Sequence, residues 1–153
     1  MINHVVLKDL TIHKDERGRL FEILRSDSDI FGWFGQAYIT VCNPGWVKGW
    51  HYHKLQSDYF CVVYGKAKIV LCDIRKESST FGISEEYVLD WEKPQLLIIP
   101  MMVVHGFECL SDTPCHILNL PTRLYDYNDP DEHRIKLDST EVSYEGWKDR
   151  EGW

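Results

Sequence analysis

The chain has 153 residues, enough for one domain with a substantial core and too few for two of ordinary size. Hydrophobic residues at 44% and aromatic ones at 13% exclude a disordered chain. A net charge of −7 argues against the phosphate backbone of nucleic acid or an anionic membrane surface as partner.

Short apolar runs then follow one another in chain order, at residues 4–10, 37–41, 58–64, 66–74, 86–90, 95–100, 105–110 and 115–120. They are strand-length, rich in β-branched and aromatic residues, and separated by "NPG", "YGK", "EKP" and "SDTP". That spacing predicts an all-β sandwich or barrel over about 4–120. From residue 121 the chain turns polar but keeps Tyr125, Tyr127, Tyr144, Trp147 and Trp153. An irregular or short helical tail over 121–153, packed on the barrel within one domain of residues 1–153, is expected. The five cysteines lack a CxxC pair and mostly lie in apolar runs, so they read as core thiols of a reduced compartment. No signal-like start and no apolar run of membrane-spanning length is present, and the expected location is the cytoplasm.

The residues that carry chemistry begin at "KGWHYHK" (48–54), where His51 and His53 are separated by one aromatic residue. On a strand, that spacing turns both imidazoles to one face. Asp58 opens the next predicted strand, and His105 follows Pro100 after four residues. This pattern resembles the two motifs of the cupin superfamily, in which three imidazoles and a carboxylate meet in the mouth of a jelly-roll barrel. Such a donor set (His51, His53, Asp58, His105) suits Zn, Fe, Ni or Mn. Asp58 stands where that superfamily usually has Glu, and Cys109 where its second motif usually ends in Asn. His4, His13, His116 and His133 read instead as hydrogen-bonded structural residues.

Longer stretches, "KDERGRLFEI" (14–23), "VKGWHYH" (47–53), "YGKAKIVLCDIRKESSTFG" (64–82), "LLIIPMMVVHGFECLSDT" (96–113) and "YDYNDPDEHRI" (125–135), make the chain similar to the dTDP-4-dehydrorhamnose 3,5-epimerases. The resemblance implies a double-stranded β-helix fold, a homodimer, no cofactor, and a nucleotide-sugar substrate epimerised beside a C4 ketone, at C3 and optionally C5, in sugar or cell-surface polysaccharide biosynthesis. It further implies that His51 is the base, oriented by Asp149. Tyr125 or Tyr127 would take the place of the family's catalytic tyrosine. Arg17, Glu22 and Lys48 would contact the nucleotide, and His53, Asp58 and His105 the substrate. Imidazole suits proton abstraction because its ordinary pKa leaves it neutral at pH 7.

Departures from the family bear on mechanism. Lys48 replaces an arginine, His53 a glutamine, and Asp58 a lysine that would stabilise the enolate. A bare carboxylate beside a developing oxyanion repels it by roughly 4 kcal/mol at contact in an effective dielectric of 20. A divalent ion on the four-residue cluster would reverse that sign, but would occupy His51 as a ligand. Three other activities stay open on these residues: 3,4-ketoisomerisation, a metal-dependent cupin reaction of another class such as that of a small isomerase or dioxygenase, and non-catalytic sugar binding. Asp73 and Arg75 suit either the pocket or a structural tie at a strand end.

Overall fold

A computed structural model describes residues 1–150 and 152; Trp153 lies outside the described residues. The described residues contain twelve strands and no α-helix. One sheet takes β1 (Val6–Asp9), β9 (Gln95–Ile99), β6 (Asp58–Tyr64), β11 (Cys115–Asn119) and β4 (Tyr38–Cys42), in that spatial order. The other takes β12 (His133–Arg134), β5 (Val47–Tyr52), β10 (Val103–Cys109), β7 (Lys66–Asp73) and β8 (Ser84–Asp90). All ladders within both sheets are antiparallel. A separate hairpin pairs β2 (Ile12–Asp15) with β3 (Gly18–Phe21).

From β4 to β11 the chain changes sheet at every step except the β7–β8 hairpin, which is the weave expected of a double-stranded β-helix. Several of these crossings are tight. Gly65 alone joins β6 to β7 with φ +72, and a Cβ there would lie 2.6 Å from Ser111 Oγ. Glycine is required by both the backbone angle and the space. The sheets remain two separate ladders, so the molecule is a sandwich with open edges rather than a closed barrel.

Three apolar layers hold it together. Between the sheets, Phe60, Val62, Leu97, Ile99 and Ile117 of the first meet Ala67, Ile69, Leu71, Leu89, Val103 and Phe107 of the second. The outer face of the first sheet (Tyr59, Cys61, Leu96, Ile98) is covered by Phe21, Ile23, Leu24 and Ile30 of the N-terminal third. The outer face of the second is covered by the tail: Trp147 stacks on Trp50 at 4.7 Å between centroids, and both rings are fully buried. Burying rings of this size contributes about 1.5–3 kcal/mol each, and the stacked pair about 0.5–1.5 kcal/mol beyond that. The tail is irregular, with turns but no helix among its described residues.

The expected strands are all present. The β2–β3 hairpin and the two-residue β12 are additional. Every residue of β2 is exposed, so no apolar alternation marks it, and β12 exists only by pairing with β5. All five cysteines are buried free thiols. Asp73 and Arg75 form a structural tie: the Asp73 carboxylate accepts from Arg75 Nε at 2.8 Å, Ser78 Oγ at 2.6 Å and Thr80 Oγ1 at 2.6 Å, closing the loop before β8. No helix among the described residues is long and apolar enough to cross a membrane.

Candidate active site

Strand alternation builds the site at one open end of the sandwich. On β5, Trp50 faces outward under the tail, so His51 faces inward. His105 of β10 is its cross-strand partner, and their ring centroids lie 4.0 Å apart. Just beyond this pair the β10–β5 register shifts between His105 and Phe107. There Gly106 and Gly49 pack backbone to backbone, and a Cβ on Gly106 would come 3.0 Å from the Lys48 carbonyl and 2.9 Å from the Trp147 ring. His53, one residue beyond β5, and Asp58, opening β6, complete the cluster. Candidate ligand atoms of His51, His53, Asp58 and His105 all lie within 4.8 Å of one another, and Asp58 and His105 are each 1% exposed.

Hydrogen bonds fix the tautomers. His105 Nδ1 donates to the Val103 carbonyl at 3.0 Å, and His53 Nδ1 donates to the Asp131 carbonyl. Carbonyls only accept, so both Nδ1 atoms carry hydrogen and both Nε2 atoms are turned to Asp58 Oδ2, at 3.1 Å from His53 and 3.3 Å from His105. Asp58 Oδ1 accepts from Gln56 Nε2 at 3.0 Å. Burial alone would raise the Asp58 pKa, but the two histidines outweigh it and hold the carboxylate far below its ordinary range. Burial disfavours charge on His53 also, yet the bond to Asp58 prevails and raises its pKa. His51 goes the other way. Burial, then the neighbouring His105 and His53, push its pKa well below the ordinary value, so it is neutral at pH 7.

Beside His51 lies a cavity of about 660 Å3, within the range of small-molecule sites. Thr40 and Tyr38 of β4 and Phe60 of β6 line it from one sheet, His51, Phe107 and Arg134 from the other, and Tyr125, Tyr127 and Glu132 at the mouth. The mouth segment is strapped down by Asp131, whose carboxylate accepts from the backbone N–H groups of Lys54 and Leu55 at 2.8 and 2.7 Å.

The four predicted cluster residues therefore converge, and Tyr125 and Tyr127 stand at the cavity they were expected to serve. Lys48 reaches its edge, donating from Nζ to Thr40 Oγ1 at 2.9 Å. Three residues do not join. Arg17 lies on the β2–β3 turn, paired with Asp15 at 2.6 Å, and Glu22 lies beside Arg25 at 2.9 Å; neither lines the His51 cavity. Asp149 is exposed, and the described groups that shift His51 include His105, His53, Asp58 and Arg134 but not Asp149. The reason is the Trp147–Trp50 stack, which places that part of the tail on the outer face of β5, opposite the imidazole. Sequence reasoning passed over Tyr38, Asn119, Glu132 and Arg134. Tyr38 and Thr40 sit at alternate positions of an apolar run, the one signal that polar groups face inward there.

Against known proteins, the family model described as dTDP-4-dehydrorhamnose 3,5-epimerase matches residues 1–150. The spore coat polysaccharide biosynthesis protein SpsL of Bacillus subtilis is 38% identical over 144 residues, covering 94% of this chain and 95% of that one. The crystal structure of a dTDP sugar isomerase from Desulfovibrio desulfuricans G20 superposes with a TM-score of 0.87 at 29% identity, covering 94% and 91%. That of ChmJ, a 3'-monoepimerase from Streptomyces bikiniensis in complex with dTDP-quinovose, gives 0.85 at 26% identity, covering 99% and 79%.

Proposed function

Since the chain belongs to the dTDP-4-dehydrorhamnose 3,5-epimerase family, we propose that it epimerises a nucleotide-activated 4-keto-6-deoxy sugar at C3 by removing and replacing the proton beside the ketone. The observation that carries this reading is a neutral, half-buried His51 presented to a cavity of about 660 Å3. Its free-base form accepts the C3 proton, and the C–H electron pair moves to the ketone oxygen as an enolate. Arg134, in the same cavity and paired in register with His51, supplies positive charge near that oxygen. The carboxylate that replaces a lysine is no longer an obstacle, because Asp58 spends its charge on His53 and His105. A tyrosine hydroxyl of the cavity reprotonates the opposite face. The 3'-monoepimerase among the structural neighbours favours inversion at C3 alone.

A second reading rests on the same cluster. Two Nε2 atoms and a carboxylate oxygen converge in a buried space, as cation ligands do, and three imidazoles with one carboxylate fit Zn, Fe, Ni or Mn. An ion held by His51, His53, Asp58 and His105 would supply Lewis acidity to the ketone. His51 would then be a ligand and the base would lie elsewhere.

The chain also carries a surface suited to self-association. The outward side chains of the edge strand β4, Ile39 and Val41, are 56% and 43% exposed, with Trp46 beside them at 51%, which supports a homodimer. The deciding experiment is incubation with dTDP-, GDP- and UDP-4-keto-6-deoxy sugars in deuterated water. Deuterium at C3 with inverted product supports the reading, and no exchange above background with any of them rejects it.

A further inference from the structure

Epimerisation needs a proton source on the face of the ring away from the base, and the cavity offers three phenols. Tyr125 and Tyr127 belong to the mouth, where Tyr127 is 90% exposed and Tyr125 38%. Tyr38 differs from both. It lies on β4, in the sheet opposed to the one that carries His51, and pairs in register with Asn119 of β11. The β4 alternation turns Ile39 and Val41 outward, Cys42 into the core and Thr40 into the cavity wall, so Tyr38 points inward as well. Although the residue as a whole is 42% exposed, its hydroxyl end is inside, bonded to an Asn119 that has no exposure.

The bonding of Asn119 determines which way the Tyr38 hydrogen points. Asn119 Oδ1 accepts from the Tyr59 backbone N–H at 3.1 Å, so its Nδ2 is the atom that faces Tyr38 and donates to the phenol oxygen at 2.9 Å. Tyr38 therefore accepts from Asn119, and its own O–H hydrogen is left for the cavity.

Resting on the epimerase reading above, we infer that Tyr38 is the acid that protonates the enolate on the face opposite His51. His51 takes the C3 hydrogen as a proton and leaves the electron pair in the enolate. The carbon–carbon π pair then forms a new C3–H bond with the Tyr38 hydrogen, the ketone is restored, and the phenolate and imidazolium exchange protons with water. Burial and the nearby Asp58 charge push the Tyr38 pKa up to about 12, which keeps the phenol protonated and in the acid form at neutral pH.

The test separates removal from replacement of the proton. Wild-type protein and the Tyr38→Phe variant are incubated with dTDP-4-keto-6-deoxyglucose in deuterated water, and NMR follows deuterium at C3 and the configuration of that carbon. The variant is expected to exchange C3 hydrogen within about threefold of the wild-type rate while inversion falls at least 100-fold, because His51 returns a deuteron to the face it emptied. Tyr38→Gln, which keeps an acceptor for Asn119 but has no acidic hydrogen, should behave alike. Inversion at the wild-type rate in either variant, or loss of exchange together with inversion in both while their melting temperatures stay unchanged, overturns the assignment. Absence of exchange in the wild type with this sugar and with its GDP and UDP counterparts would instead remove the epimerase reading beneath it.

Discussion

His53 Nε2 sits 3.1 Å from Asp58 Oδ2 while the opposite nitrogen of the same ring donates to the Asp131 carbonyl. An imidazole whose Nδ1 holds its hydrogen can face a carboxylate with Nε2 only if a second proton or a cation lies between them. His105 repeats the arrangement at 3.3 Å. With a proton there, the bond to Asp58 raises the pKa of His53 against the opposing effect of burial.

Metal content follows from that choice. Protein dialysed against a strong chelator and checked by elemental analysis should keep its C3 exchange rate with less than about 0.1 divalent ion per chain. One tightly held equivalent that is lost from the His53→Ala, His105→Ala double variant, with activity lost in parallel, would establish the second reading.

Asp58→Ala should be costly whichever reading holds, since it strips two buried histidines of their shared partner. Breaking a buried ion pair costs about 3–5 kcal/mol. At about 2–4 °C per kcal/mol for a chain of this size, the melting temperature should fall by roughly 6–20 °C. A shift under about 3 °C would mean that the cluster is not the buried pair described.

His51→Asn should lower the C3 exchange rate by about 10²–10⁴-fold, the usual range for general base catalysis. The folded protein should persist, with far-ultraviolet circular dichroism unchanged. Exchange surviving within tenfold would take His51 out of the chemistry.

Asp73 gives a prediction in pH. Burial opposes its charge, but the bonds from Arg75, Ser78 and Thr80 outweigh that and hold its pKa well below 3.8. The unfolded chain thus binds a proton that the folded one refuses, so the stabilisation is complete above about pH 4 and declines as pH falls further. Asp73→Asn should destabilise by about 3–5 kcal/mol at pH 7. The gap between the two melting temperatures should narrow steadily from pH 4 to pH 2; a constant gap would contradict the depressed pKa.

Gly106→Ala places a methyl against the Lys48 carbonyl and the Trp147 ring, where neither backbone nor packed indole yields readily. Overpacking of this kind costs about 1–3 kcal/mol, read as a fall in melting temperature. Because His105 is the adjacent residue, C3 exchange should decline as well. An unchanged melt would mean that β5 and β10 can separate without cost.

The sequence was most readable where side-chain period and chemistry coincided. The runs around "DYFCVVY" and "QLLIIP" marked β6 and β9 because their burial on both faces leaves no polar alternation. His51, His53, Asp58 and His105 were legible because an HxH spacing on a strand fixes direction without knowledge of the partner strand. Asp149 misled because a position in a tail says nothing about which face of the sheet the tail will cover; Trp147 decides that by stacking on Trp50. Tyr38 was hidden for a related reason. Its importance depends on the register of β4 against β11, a relation between residues 81 positions apart.

The two walls of the cavity belong to different sheets, with His51 on one and Tyr38 on the other. Stereochemical outcome is thereby divisible in this architecture. With Tyr38 as the acid, a single exchange on the β4 wall removes delivery of hydrogen from the far side while the machinery that labilises it remains intact, so loss of inversion lies one substitution away without any rebuilding of the scaffold.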